Sequence, residues 1–353
     1  MTRCPIVHSA EVAALAGDPS KAEADWVANR NTTARWCAPK SRSYRRVQVG
    51  HPRMSAMNRE VELQRQYVKL CDLRDFDDPI VRARIDEIVP GLDPAARQHR
   101  KNWEYAMLTL FLDDMGLIRE DVEILSVGAG HEIVLFWLAN RVAKVIATDI
   151  YGEGSFGERE ADRTMLADPA AFAPYAYREA HLEVRHMDAK ALEFPDGSFD
   201  AVFSLSSIEH FGSRADIRRA AQEMGRILRP GGGAFIATEC FLGRSVLTAF
   251  VQEAFSRGTG GRLFGSDRIF TPRGLISEIV EPTGLQLVQP LEKTVSPESG
   301  ANVIELLSDK RVASTGGVDH PHVVLRAKRN LGRVGIHTQR WTSVGLAMTK
   351  PFE

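Results

Sequence analysis

Residues 123–132 read EILSVGAGHE and residues 144–150 read KVIATDI. The apolar run Glu123–Val127 predicts a strand, the glycines at 128 and 130 a tight turn, and residues 131–141 a helix. Gly128 and Gly130 permit backbone conformations and close approaches that a Cβ forbids. The unpaired N–H groups at the start of the following helix face whatever lies in that turn. Asp149 closes the second apolar run about twenty residues on, where a carboxylate can accept hydrogen bonds from both hydroxyls of a ribose. Together these features predict a nucleotide-type ligand at the carboxyl edge of a parallel sheet. The plainer readings are an ordinary strand-to-helix turn and a strand-ending acid that caps the next turn.

Dinucleotide enzymes place a third small residue after the paired glycines, where the helix packs close to the strand around a pyrophosphate. Ile133 occupies that position here, which weighs against a nicotinamide oxidoreductase. Further segments follow in order. Residues 182–187 (LEVRHM) read as a strand ending in Asp188-Ala189. Residues 199–204 (FDAVFS) read as another, leading into Leu205-Ser206-Ser207-Ile208-Glu209-His210-Phe211. A helical stretch over 217–228 then runs through Arg229-Pro230-Gly231-Gly232-Gly233 into a strand over 234–238.

In VGAGHE, ATDIYGEG, HMDAKALEFPDGSFDAVFSLSSIEHF and RILRPGGGAFIATE, the chain resembles the class I S-adenosylmethionine-dependent methyltransferases, and among them the small-molecule and sugar methyltransferases. The resemblance covers residues 120–240, with a looser tail beyond. It implies an α/β fold: a Rossmann-like, doubly wound sheet of seven strands, mostly parallel with a C-terminal antiparallel strand, preceded by a helical N-terminal extension. It also implies that Gly128, Ala129 and Gly130 line the methionine end of S-adenosyl-L-methionine and that Asp149 holds the ribose. Ile150 would pack on the adenine face, Asp188 accept the adenine amino group, Ala189 offer a backbone N–H, and Ser206 join the same set. S-adenosyl-L-homocysteine is the implied product. Asp188 can equally be a helix N-cap or turn residue, since aspartate is favoured in both. The residue types suit such a cofactor: a sulfonium with an amino acid and a nucleoside carries no phosphate, so it needs backbone approach and a ribose carboxylate rather than a basic clamp.

Composition bounds the alternatives. The chain has 353 residues with 45 Lys and Arg against 46 Asp and Glu, so it lacks the basic excess of most nucleic-acid binders. Cys4, Cys37, Cys71 and Cys240 are scattered without metal-ligand or disulfide-framework spacing and read as free thiols. No apolar run reaches membrane-span length. These features predict a cytoplasmic enzyme without a membrane partner; homo-oligomerisation stays open.

Three textures divide the chain. Residues 1–95 are expected to form a helical extension, with helices over 57–70 and 79–88, and residues 96–353 the catalytic domain, with insertions near 151–180 and 289–320. Residues 26–58 contain no acid and carry Arg30, Arg35, Lys40, Arg42, Arg45, Arg46 and Arg53 with Trp26, Trp36 and Tyr44 interleaved. That pattern suits base stacking or phosphate contact, or a surface arm pinned by its aromatics. Residues 93–115 read as one helix, capped at Asp93 with Pro94 in its first turn. By the resemblance Trp103, Glu104 and Tyr105 approach the ligand, whereas the apolar stripe places Trp103 in the core. The long connection over 151–180 predicts a partial lid. Residues 241–255 and 271–280 read as helices, the latter closed by Gly284. Residues 285–288, 323–325 and 343–348 read as the last strands, the final two as an antiparallel hairpin.

The implied chemistry is in-line attack on an activated methyl group, with a sugar or glycoside hydroxyl as the expected small-molecule acceptor (O-methylation in biosynthesis). An RNA or lipid substrate, or a non-catalytic cofactor-binding scaffold, remain alternatives. His210 leads as general base because it follows the fourth strand at the sheet edge, with Glu209 beside it; both can instead stabilise the turn. His320 and His322 flank Pro321, a weak ligand signature, and no metal is expected. His131 reads as a helix-start residue.

Overall fold

In chain order the strands are β1 (Lys69–Leu70), β2 (Glu123–Val127), β3 (Lys144–Asp149), β4 (Leu182–His186), β5 (Phe199–Leu205), β6 (Leu228–Phe241), β7 (Gln286–Leu287), β8 (Val303–Leu307), β9 (Val312–Ala313), β10 (Val324–Leu331) and β11 (Val334–Thr349). The helices that position the site are α1 (Pro79–Ile88), α2 (Arg100–Asp114), α3 (Ile133–Ala139), α4 (Thr164–Ala167) and α5 (Arg214–Ile227). The computed structural model describes residues 63–94, 96–154, 157, 159–242, 269–301, 303–307, 312–313, 323–331 and 334–352.

Among these residues all eleven strands form one sheet, in the order β4-β3-β2-β5-β6-β11-β10-β8-β9, with β1 and β7 attached to β11. Strands β4, β3, β2, β5 and β6 run parallel, and β11 lies antiparallel to both β6 and β10. The central strands are apolar on both faces, as helix-covered parallel strands must be: Ile124, Leu125, Val127, Ala201 and Val202 are fully buried. From β2 the chain steps outward through β3 and β4, then returns to β5 on the other side of β2. That reversal opens a crevice at the carboxyl end of β2, where ligands of such sheets bind. The α/β, mostly parallel architecture is therefore as expected.

The strand count is a correction: eleven strands rather than seven. Strand β11 spans 16 residues, longer than its neighbours, and its spare ladder positions pair with Lys69–Leu70 at one place and Gln286–Leu287 at another. Strand β8, from the insertion near 289–320, extends the sheet beyond β10. The hairpin expected from 323–325 and 343–348 is present and longer, with Leu325 opposite Trp341.

Two helix expectations are also corrected. No helix covers residues 63–70, the described part of 57–70; Leu70 instead pairs with Val344, tertiary pairing having overridden local propensity. The helix expected from Asp93 starts at Arg100, where the His99 ring accepts from the Lys101 N–H at 3.1 Å, while the Asp93 carbonyl closes a turn by accepting from the Ala96 N–H. Helix α1 matches expectation, with Asp78 as cap and Pro79 in its first turn. The 271–280 segment is helical from Pro272 and ends at left-handed Gly284, with Thr271 as cap.

Helix α2 is buried from Asn102 to Leu112. Trp103 is in the core, its Nε1 donating to Asp75 at 2.7 Å. Helix α5 buries Ile217, Ala220, Ala221 and Met224. A reciprocal Ser213–Asp216 capping box, of a kind worth about 1 kcal/mol, starts that helix. Cys71 and Cys240 are buried free thiols. No helix of the described residues is long and apolar enough to cross a membrane. Cys4, Cys37, the basic stretch 26–58, the helix expected over most of 241–255, and His320 and His322 lie outside the described residues.

Candidate active site

The turn after β2 has the backbone its glycines allow, with φ of +67° at Gly128 and +49° at Gly130. The N–H groups of Gly128 and Ala129 both donate to the Thr148 carbonyl, at 2.8 and 3.0 Å, folding the turn over the end of β3. A Cβ on Gly128 would lie 2.7 Å from both Phe211 Cζ and Ser207 Cβ, and one on Gly130 would collide with the Glu160 carbonyl. Neither position accommodates alanine without displacement.

Asp149 is built into the same turn. Its Oδ2 accepts from Gly130 N–H at 2.9 Å and its Oδ1 from Ile150 N–H at 2.7 Å. A carboxylate offers about four acceptor sites, so each oxygen keeps one for a ligand hydroxyl. Burial raises the carboxyl above its ordinary range, against the lowering by those two N–H groups. Ile150 is 36% exposed, unusual for a large apolar side chain beside a buried acid. Asp188 and Ala189 stand next to this pair, because the Met187 N–H donates to the Asp149 carbonyl at 2.9 Å. The Asp188 carboxylate accepts from Lys190 N–H at 2.9 Å and pairs with the Lys190 ammonium, an Asx-type turn; Ala189 is buried.

The facing wall comes from β5, β6, β11 and α2. Ser206 is the one non-glycine with positive φ among the described residues, +49°, a conformation costing about 1–2 kcal/mol that persists where the surroundings impose it. Its Oγ donates to Glu104 at 2.7 Å, Ser343 Oγ donates to the same Glu104 oxygen at 2.5 Å, and Ser207 Oγ donates to the Gly128 carbonyl at 2.7 Å. Glu104 is fully buried; burial alone would raise its carboxyl, but Lys101, Arg100 and the two serines hold it below the ordinary range. Arg100 reaches Glu104 at 3.5 Å and Glu239 at 3.2 Å.

Lys101 is bound on three sides, by Glu104 at 3.2 Å, the Leu205 carbonyl at 3.0 Å, and Glu132. Glu132 stands two residues past the second glycine, immediately before α3. Burial pushes its carboxyl up to about 7 against the pull of Lys101, with Glu104 and Asp149 adding to the rise. Arg100, Lys101, Glu132 and Glu239 were not among the residues expected from sequence. The available signal was charge in the first turn of a helix otherwise buried all round, which can be accommodated only by pairing.

Glu209 and His210 share the short turn after β5 but not an environment. Glu209 is 1% exposed and accepts from Thr238 Oγ1 at 2.8 Å; burial, then the charge of Glu239, pushes its carboxyl up to about 8. His210 lies on the exposed side. His131 is buried, bonded to the Arg159 carbonyl at 3.0 Å and stacked on Phe172 with 4.6 Å between rings. Through that stack, and through Tyr151 Oη donating to the Gly130 carbonyl at 2.8 Å, the described part of the 151–180 connection packs against the glycine turn.

This arrangement fits an adenosyl sulfonium amino acid. The paired glycines leave no room for side chains, Asp149 keeps acceptor capacity beside an exposed apolar residue, and Lys101 is already saturated by its three acceptors. A pyrophosphate would meet the carboxylates of Asp149 and Glu132.

Comparison with known proteins agrees. Residues 125–236 match the family model of a methyltransferase domain. The fold, the turn and this match show that residues 125–236 carry a methyltransferase domain, similar to those of the class I S-adenosylmethionine-dependent methyltransferases. It is 32% identical over 114 residues to a protein of Mycolicibacterium smegmatis described as a probable S-adenosylmethionine-dependent methyltransferase, covering 31% of this chain and 43% of that one. It is 30% identical over 134 residues to a phosphatidylethanolamine N-methyltransferase of Cereibacter sphaeroides, 38% and 58% of the two chains. It is also 32% identical over 125 residues to the 27-O-demethylrifamycin SV methyltransferase of Amycolatopsis mediterranei, 35% and 41%. The matches thus span 43%, 58% and 41% of those relatives' lengths.

Proposed function

We propose that this protein transfers the methyl group of S-adenosyl-L-methionine to a small hydrophilic acceptor, a sugar or glycoside hydroxyl, leaving S-adenosyl-L-homocysteine. The observation that carries the donor half is the Gly130–Asp149 hydrogen bond, which joins a turn free of side chains to a carboxylate with acceptor capacity to spare. The hydroxyl half is supported by the name of one relative, the 27-O-demethylrifamycin SV methyltransferase.

Bound in this turn, the donor supplies a methyl group on a sulfonium, open to in-line attack. The turn and Asp149 fix the nucleoside, and Ser206, held in its left-handed conformation by Glu104, shapes the wall across from it. Positioning of this kind contributes up to about 7–11 kcal/mol. Glu209 takes the hydroxyl proton as the oxygen attacks, a role worth about 10²–10⁴-fold; His210 on the same turn is the second candidate. No metal is assigned a part.

The test is thermal shift and calorimetry with S-adenosylhomocysteine and with NADH, since a ligand of the native state raises apparent stability. Stabilisation by S-adenosylhomocysteine is expected. Stabilisation by NADH alone overturns the reading, and methyl transfer to an amine in place of a hydroxyl overturns its acceptor half.

A further inference from the structure

We infer that Glu132 is the residue that holds the ammonium of the donor's amino-acid end, and that this carboxylate sets the turn for a zwitterionic nucleoside rather than a phosphate-bearing one. The inference rests on the donor reading above and deepens it.

One oxygen of Glu132 is bound by Lys101; the other, Oε2, is buried and has no hydrogen-bond partner among the described residues. An unsatisfied buried acceptor costs about 1–3 kcal/mol, more when charged, so a fold that keeps one beside a ligand turn holds it for a donor the ligand brings. Lys101 cannot supply that donor, since its ammonium is shared among Glu104, Glu132 and the Leu205 carbonyl. The groups around Glu132 also define what fits. Asp149 and Glu104 add negative charge, Lys101 offsets one charge, and Tyr105 and Tyr151 are buried phenols whose own ionisation Glu132 opposes. The field selects a cation that donates N–H bonds.

The donor molecule offers few such groups. Its ribose hydroxyls fall to Asp149 and its adenine lies toward Ile150 and Asp188, at the ends of β3 and β4. Its sulfonium has no N–H. The primary ammonium is the group left, and its partner is the acceptor just past the second glycine.

Calorimetry on the full chain tests this with two ligands that share the thioadenosine and differ in the amino-acid end: S-adenosylhomocysteine and 5′-methylthioadenosine. The Glu132→Gln variant is expected to lose about tenfold or more in affinity for S-adenosylhomocysteine, the scale of one charge-assisted hydrogen bond, while 5′-methylthioadenosine binds within twofold of wild type. Equal losses for both ligands, or no loss for either, overturn the assignment. If the Gln variant does not fold, Glu132→Asp, which keeps the charge and shortens the reach, carries the same comparison with the same expected selectivity. Wild-type protein that binds neither ligand brings down the donor reading itself, a result distinct from a wild type that binds both and a variant that fails to discriminate.

Discussion

The N–H of Gly130 donates to the Asp149 carboxylate at 2.9 Å, so the turn leaving β2 and the acid ending β3 form one hydrogen-bonded unit. The Ile150 N–H completes it from the other oxygen at 2.7 Å. Because these contacts pre-aim the carboxylate, little side-chain freedom is left to lose when a ribose binds. They also make the two elements mutually dependent, so damage to either should appear in cofactor binding.

Replacing Asp149 with alanine should weaken S-adenosylhomocysteine binding by at least tenfold, since hydrogen bonds to a charged group contribute about 1.5–3 kcal/mol each. Isothermal calorimetry measures it directly. Unchanged affinity would mean that the ribose is held elsewhere.

Gly128→Ala puts a methyl group 2.7 Å from Phe211 and Ser207 in a backbone conformation with positive φ. Overpacking of this kind costs about 1–3 kcal/mol, to which the left-handed backbone adds about 1–2 kcal/mol. A lower unfolding midpoint together with loss of S-adenosylhomocysteine binding is expected. Wild-type behaviour in both measurements would remove the turn from the site.

Glu209, pushed up to about 8, is uncharged at neutral pH and becomes a base only above it. Turnover should climb as pH rises through that value, and Glu209→Gln should abolish the climb at a cost of about 10²–10⁴-fold. A base at His210 instead makes the rise independent of Glu209. That rise would survive Glu209→Gln and disappear in His210→Ala.

The same group makes stability depend on pH. In the unfolded chain a glutamate ionises near about 4.3, whereas folded Glu209 holds its proton to about 8. Between those values the unfolded state binds fewer protons, so Glu209 lowers stability progressively as pH rises across the window. Urea unfolding at pH 5 and pH 8 should show a steeper decline for wild type than for Glu209→Gln; parallel declines would place the ionisation elsewhere.

The central sheet was legible because parallel strands buried on both faces leave continuous apolar runs, and residues 123–127 and 199–204 are of that kind. Gly128, Gly130, Asp149 and Asp188 stood out because turns and strand ends use few residue types. The two-residue strands β1 and β7 could not be read, since so short a segment has no period; only the length of β11 recruits them. The start of α2 was misplaced because Asp93-Pro94 carries the stronger local signal, yet His99 makes the cap. The Lys101–Glu132 pair was hidden for another reason: 31 positions separate its members, and only the packing of α2 against the end of β5 and the turn after β2 brings them together.

Strand β11 lies between β6 and β10 and also receives β1, which comes from far upstream. During synthesis, therefore, β1 and the open edge of β6 wait for residues 334–349 to leave the ribosome before either finds its partner. A chain whose first and last described strands must meet has high contact order and should fold slowly, with an unpaired β6 edge exposed to chaperones, or to other nascent chains, until β11 has emerged.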